Sequence, residues 1–202
     1  MQLIHIKFRK KGNTKMKKRE MNNHQKSHLI NKAGKGHYLN ADAPEKLLKY
    51  VTRTNGKSDA DLIAWGGLGV SESLGIDNII EQFHQVQAAH TRKGNFGRYI
   101  DHEIYSFSTE AEIAINNLDI DVDKIARKMA QDFYDTDKCQ VVYGIHKPSG
   151  KDTHLHIHFA LNTVNFDTGN KRRENRRQTK EREERFREIT NDVIKKNTKT
   201  RE

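Results

Sequence analysis

A single cysteine, Cys139, rules out any disulfide within the chain. It stands at the start of a strand-like run, where a small buried residue is the expectation, and a reducing cytoplasm fits. Long apolar runs, a signal-peptide core and a lipidation motif are all missing, so no membrane insertion is expected. Apolar residues are scarce: hydrophobics make up 34% and the mean hydropathy is -0.95, so much of the chain must be surface, arm or extended helix. The glycines at 66, 67, 69 and 75 are followed by no Gly-Lys-Ser, and their spacing matches no dinucleotide fingerprint. They predict an irregular loop around Trp65. What the chain has in excess is positive charge. Against 27 Asp and Glu stand 37 Lys and Arg, a net charge of +10, and such an excess points to a polyanion, most often nucleic acid. At 202 residues one domain with a modest core, with or without a tail, is the expected size class.

The pattern of elements predicts an α+β fold. Leu3 to Phe8 alternates as a first strand, and 9–35 reads as a mobile basic arm. Asp42, Pro44 and Glu45 mark a helix start, with Asp42 as the capping acid. That helix runs from Ala43 to about Arg53 and presents Leu47, Leu48 and Val51 to the core. Further helices are expected over 77–89 and from Asp121 to about Asp135, where Val122, Ile125, Ala126, Met129 and Phe133 fall at helical spacing. Strands are expected over 102–108, 139–146 and 154–164. The order of elements favours a central antiparallel sheet with helices packed on one face. Residues 1–170 would form the main domain. From Lys171 onward a basic helical segment, 171–202, reads as the start of a longer C-terminal region.

The chemistry concentrates in Asp152-Thr153-His154-Leu155-His156-Ile157-His158-Phe159-Ala160-Leu161-Asn162. Side chains two apart on a strand share a face. A strand here buries Leu155, Ile157, Phe159 and Leu161 and lines up His154, His156 and His158 on the other side. Lys147 to Lys151 is turn chemistry, and a hairpin closing there brings His146 beside the row. Closed structural zinc sites usually take four ligands and favour cysteine, whereas three neutral imidazoles leave positions open for a substrate oxygen. On so basic a protein that oxygen is a nucleic-acid phosphate. Periodicity alone leaves open which three of the four histidines act together.

These residues resemble a known family. His-hydrophobic-His on a strand, here His156-Ile157-His158, is similar to the core motif of the HUH endonucleases, which include plasmid relaxases and rolling-circle initiators. The longer match is to relaxases of conjugative and mobilisable elements, whose third motif corresponds here to His146, Asp152, His156, His158 and Asn162. His102 with Tyr105-Ser106-Phe107 resembles their middle motif. Lys49-Tyr50-Val51-Thr52-Arg53 resembles the first, where a helix carries the nucleophilic tyrosine. The resemblance implies an HUH-endonuclease fold, one divalent ion (Mg²⁺ or Mn²⁺) held by His146, His156 and His158, and Tyr50 as the nucleophile. It also implies His154, Asp152, Asn162 and Ser106 as supporting groups. The implied reaction is nicking of single-stranded DNA at an origin of transfer, with the 5′ phosphate joined to tyrosine. Accessory relaxosome and coupling proteins are the implied partners.

Six tyrosines compete for that role. Tyr143, Tyr105 and Tyr134 sit where burial is expected. Tyr38, in a glycine-flanked loop, and Tyr99, in a basic turn, are suited to binding a base. Tyr50 lies on a helix between Lys49 and Arg53. A phenol is mostly protonated at neutral pH, so a cation or base beside it must help it ionise. Lys49, Arg53, Lys57, Arg92, Arg98, Arg172 and Arg173 are candidate phosphate contacts. Two alternatives remain: a rolling-circle replication initiator, and a non-catalytic nucleic-acid-binding module whose histidines hold a structural ion. The initiators place their tyrosine after the His-x-His motif, whereas Tyr50 precedes it.

Overall fold

The computed structural model describes residues 27–31, 38–56, 59–89, 97–149 and 154–200. The first strand expected over 3–8, most of the basic arm, and Lys57, Arg92 and Asp152 lie outside them. The described elements run β1 (His28–Asn31), α1 (Ala43–Val51), β2 (Leu62–Leu68), α2 (Gly75–Ala88), β3 (Ile100–Ser106), α3 (Thr109–Asn117), α4 (Val122–Asp137), β4 (Val141–His146), β5 (His156–Asn162) and α5 (Arg176–Lys199). Among the described residues no helix is long and apolar enough to cross a membrane.

The strands form one antiparallel sheet in the order β1-β3-β5-β4-β2. The fold is thus α+β, as the order of elements implied. The histidine strand β5 is central, and every one of its residues is buried. Its alternation works as expected. Leu155, Ile157, Phe159 and Leu161 join Met129 and Phe133 of α4 and Phe186 and Val193 of α5 in the larger core. The opposite face is also covered in part. Leu47, Leu48 and Val51 of α1 and Ile79 and Phe83 of α2 pack on Ile100, Val142 and Ala160. Helices therefore lie on both faces, and the second layer carries Tyr50 to the histidines.

Three elements differ from the sequence reading. Trp65, Gly66 and Gly67 belong to the edge strand β2 instead of a loop. A Cβ on Gly66 would meet the Tyr143 hydroxyl, and one on Gly67 would meet Val70 and the Val141 carbonyl, so glycine is what lets this strand lie flat on its neighbour. β1 falls inside the stretch read as an arm. α3 was not foreseen because it buries only Ile115, too thin a stripe to register as a period; Ser108 caps it by accepting from the Ala111 N–H. At α1, Asp42 makes no side-chain cap and instead pairs with Lys46.

The C-terminal helix is not an appendage. Besides Phe186 and Val193, two arginines secure it. Arg172 lies 6% exposed and contacts Asp101, Glu103, Asp137 and Glu174 at 2.6–3.1 Å. Arg182 of α5 binds Asp132, Asp137 and Glu174. Arg172 was expected at a DNA phosphate. Buried and saturated by carboxylates, it instead joins β3, the end of α4 and the segment just before α5. Arg173 beside it is exposed.

Gly144 of β4 fixes how closely α1 approaches the sheet. A Cβ there would overlap the carbonyl oxygen of Val51, which is backbone and cannot rotate away. Gly144→Ala should therefore lift the end of α1, costing roughly 1–3 kcal/mol, and impair any activity that needs Tyr50 in place. Urea unfolding measures the first effect; an unchanged midpoint would mean that the helix has room to spare.

Candidate metal and nucleophile site

Antiparallel pairing sets His146 opposite His156 and Gly144 opposite His158. Directly paired residues point to the same face, so His146, His156 and His158 converge. One nitrogen from each lies within 4.8 Å of the others, and all three residues are buried. The sheet has brought together the three histidines that the family register named. His154 precedes the strand; its side chain meets Glu112 of α3 at 3.2 Å, while its carbonyl serves the cluster.

Each ring is oriented by a partner. A carbonyl can only accept, so the His156 Nδ1–H donates to the His154 carbonyl at 2.8 Å and the lone pair is left on Nε2. The His146 Nε2–H donates to the Val51 carbonyl at 2.9 Å, one of the carbonyls the end of α1 leaves without a helical partner. His146 Nδ1 accepts from Arg53 at 3.0 Å. His158 Nδ1 meets His102 Nε2 at 2.9 Å, and His158 Nε2 is buried with no hydrogen-bond partner among the described residues. A buried polar atom without a partner is costly. Three converging imidazoles with that orphaned nitrogen fit a divalent ion, held by His146, His156 and His158. Such an ion would take the His146 lone pair now used by Arg53, which would keep Asp61 and the Tyr50 carbonyl as partners.

Burial disfavours the charged form of His146 and His158. It lowers His146 to about 4, helped by the positive charge of Arg53 and opposed by the Val51 hydrogen bond. His158 is pushed well below its ordinary value by burial first and then by His102, His146 and His156. In the unfolded chain both rings take up protons near pH 6.5. Between there and about 4 the unfolded state binds more protons than the native one, so this contribution to stability is lost as pH falls. Glu103, raised to about 7 by burial, has the opposite sign. The histidine share is therefore the difference between proteins. In metal-free urea titrations from pH 7.5 to 5, wild type should lose more stability than His158→Gln; parallel losses would place no shifted histidine at 158.

Tyr50 sits over the cluster. Its ring centroid lies 5.3 Å from that of His158 and 6.2 Å from those of His146 and His102. The Arg53 guanidinium carbon is 4.7 Å from the Tyr50 ring centre. Arg53 occupies a left-handed position, φ 55°, just beyond α1. There the Thr54 N–H bonds the Lys49 carbonyl and the Arg53 N–H bonds the Tyr50 carbonyl, the Schellman pattern that ordinarily takes glycine. A side chain in this conformation is held by its ion pair with Asp61 at 2.6 Å. The guanidinium in turn keeps the Asp61 carboxyl below the usual range through its hydrogen bonds.

Other expected site residues fall elsewhere. Asn162 shares the histidine face, yet its hydrogen bonds among the described residues reach no histidine. Its amide nitrogen donates to the Phe83 carbonyl and Gln140, and its oxygen accepts from Gln87 and the Val164 N–H. It ties β5 to α2 and to the entry of β4. Ser106 pairs with His156 across the sheet. Lys49 is bound to Glu45 and Asp77, and Arg98 to Asp101. The ring-orienting groups that sequence reasoning missed are His102 and the Val51 and His154 carbonyls. His102 was visible in the middle motif but carried no role; the carbonyls leave no trace in sequence.

The family described as "Relaxase: MobA/VirD2-like, nuclease domain" matches residues 50–193. No curated protein matches. Among solved structures the chain is similar to the conjugative relaxase TrwC in complex with oriT DNA, in its metal-bound form. Identity is 13% and the TM-score 0.47, over 86% of this chain and 70% of that one.

Proposed function

The chain belongs to the MobA/VirD2-like relaxase nuclease family, and we propose that it nicks one strand of an origin of transfer and stays bound to it. The observation that carries this reading is the placement of Tyr50 over a buried three-histidine cluster. The Tyr50 oxygen attacks the scissile phosphorus, the O–P bond forms, the bond from phosphorus to the 3′ oxygen breaks, and in net the phenol proton passes to that 3′ oxygen. The protein keeps the 5′ phosphate, and the 3′ oxygen takes a proton and departs as a hydroxyl. His146, His156 and His158 would hold a divalent ion, Mg²⁺ or Mn²⁺, which would supply charge compensation on the phosphate oxygens. Arg53 places a fixed positive charge beside the attacking ring, and α1 holds Tyr50 in register. Exposed Arg173 and part-exposed Arg98 are the proposed phosphate contacts among the described residues. Work at a transfer origin in the cytoplasm, alongside relaxosome and coupling proteins, completes the proposal.

Labelled single-stranded DNA carrying candidate origins, incubated with the protein and Mg²⁺ or Mn²⁺, tests it on a denaturing gel. A denaturation-resistant adduct is expected. His156→Ala should nearly abolish it while leaving most of the charge-driven DNA affinity. Binding without cleavage at every origin tried would favour the non-catalytic module.

A further inference from the structure

A chain of hydrogen bonds leads away from the ion site. Tyr38 Oη lies 2.8 Å from His102 Nδ1, His102 Nε2 lies 2.9 Å from His158 Nδ1, and His158 Nε2 has no hydrogen-bond partner among the described residues. His102 and His158 are 5% and 3% exposed. Their ring centroids are 5.1 Å apart and tilted by 32°.

A neutral imidazole has one donor and one acceptor nitrogen, so the chain has two polarities. In the first, the Tyr38 hydroxyl donates to His102 Nδ1 and the His102 Nε2–H donates to His158 Nδ1. His158 then carries its hydrogen on Nε2, where the described residues offer no acceptor. In the second, the His158 Nδ1–H donates to His102 Nε2, and the His102 Nδ1–H donates to the Tyr38 oxygen. His158 Nε2 then presents a bare lone pair toward His146 and His156. A cation can bind only a lone pair, so an ion at the triad selects the second polarity.

We infer that Tyr38 and His102 are positioning residues that hold His158 in its ligating tautomer, and that the ion frees the Tyr38 hydroxyl hydrogen to donate into the cavity beside Tyr50. That cavity, about 360 Å³, is lined by Tyr38, Asn40, Asp42, Lys46, Tyr50 and His102 among others. A DNA phosphate or base oxygen entering it meets a donor at Tyr38 only when the ion has turned the chain. Ion occupancy and DNA recognition are thereby coupled through two ring systems. The inference rests on the ion-site reading and deepens it.

The test is long-range proton–nitrogen NMR of the histidine rings in the whole chain, with diamagnetic Zn²⁺ as the probe. In the Zn²⁺-loaded protein His102 and His158 should both be Nδ1–H tautomers. A His102 Nε2–H tautomer in that protein overturns the inference while leaving the ion site intact. Failure of the wild-type histidines to respond to Zn²⁺ overturns the site reading and this inference with it. Variants supply a second readout. His102→Leu removes the acceptor for His158 and should weaken Zn²⁺ binding about 10–100-fold. His102→Gln returns a carbonyl acceptor and should recover most of that loss. Equal affinities for His102→Leu and wild type would also overturn it.

Discussion

Tyr50→Phe should form no covalent DNA adduct while folding, binding DNA and binding metal as wild type does. The substitution deletes one oxygen and keeps the ring that lies over His158. Tyr50 Oη has no hydrogen bond among the described residues to lose, so packing of α1 should be little changed. Loss of a nucleophile commonly costs several powers of ten in rate, about 10⁴ or more where the residue acts in a set. The loss should appear in the chemical step alone, with the DNA affinity unmoved. Denaturing gels and a filter-binding titration measure the two sides. Nicking at the wild-type rate would pass the role to another tyrosine or to water.

The largest expected effect on stability is at Arg172. Its guanidinium meets four carboxylates from β3, the end of α4 and the segment just before α5. Removing one partner of a buried ion pair typically costs about 3–5 kcal/mol because the remaining charge loses its compensation. Here Asp101 and Glu103, both fully buried, would lose the guanidinium they share, with Arg98 still meeting Asp101. Burial already raises Glu103 to about 7 even with Arg172 beside it, so without the arginine it should take up a proton at neutral pH. Arg172→Met keeps the stem and discards the charge. Its urea midpoint should fall far below that of wild type, whereas exposed Arg173→Ala should stay within about 0.5 kcal/mol. If the two variants unfold alike, the network does not hold α5 to the sheet.

How much of this was legible depends on the range of the interaction. The face alternation of β5 could be read directly because Leu155, Ile157, Phe159 and Leu161 declare their side by period alone. The return of His146 followed from a short turn. β2 was hidden because Gly66 and Gly67 are chosen for what lies over them, Tyr143 and Val141, and those neighbours are distant in sequence. Arg172 looks like any basic surface residue until Asp101, Glu103 and Asp137 are brought to it. Asn162 has the right parity to face the histidines, yet its position at the end of β5 hands it to Phe83 and Gln140. The polarity of His146 comes from a backbone carbonyl, which no side-chain pattern encodes.

The covalent linkage is the central claim, and peptide mass spectrometry of the trapped adduct tests it most directly. After incubation with origin DNA and Mn²⁺, nuclease trimming and trypsin digestion should release Tyr50-Val51-Thr52-Arg53, since Lys49 and Arg53 flank it. That tetrapeptide should carry the mass of a nucleotide joined through its 5′ phosphate to Tyr50. A nucleotide found on Tyr38 or Tyr99 instead, or cleaved DNA with no protein-linked nucleotide, would contradict the account.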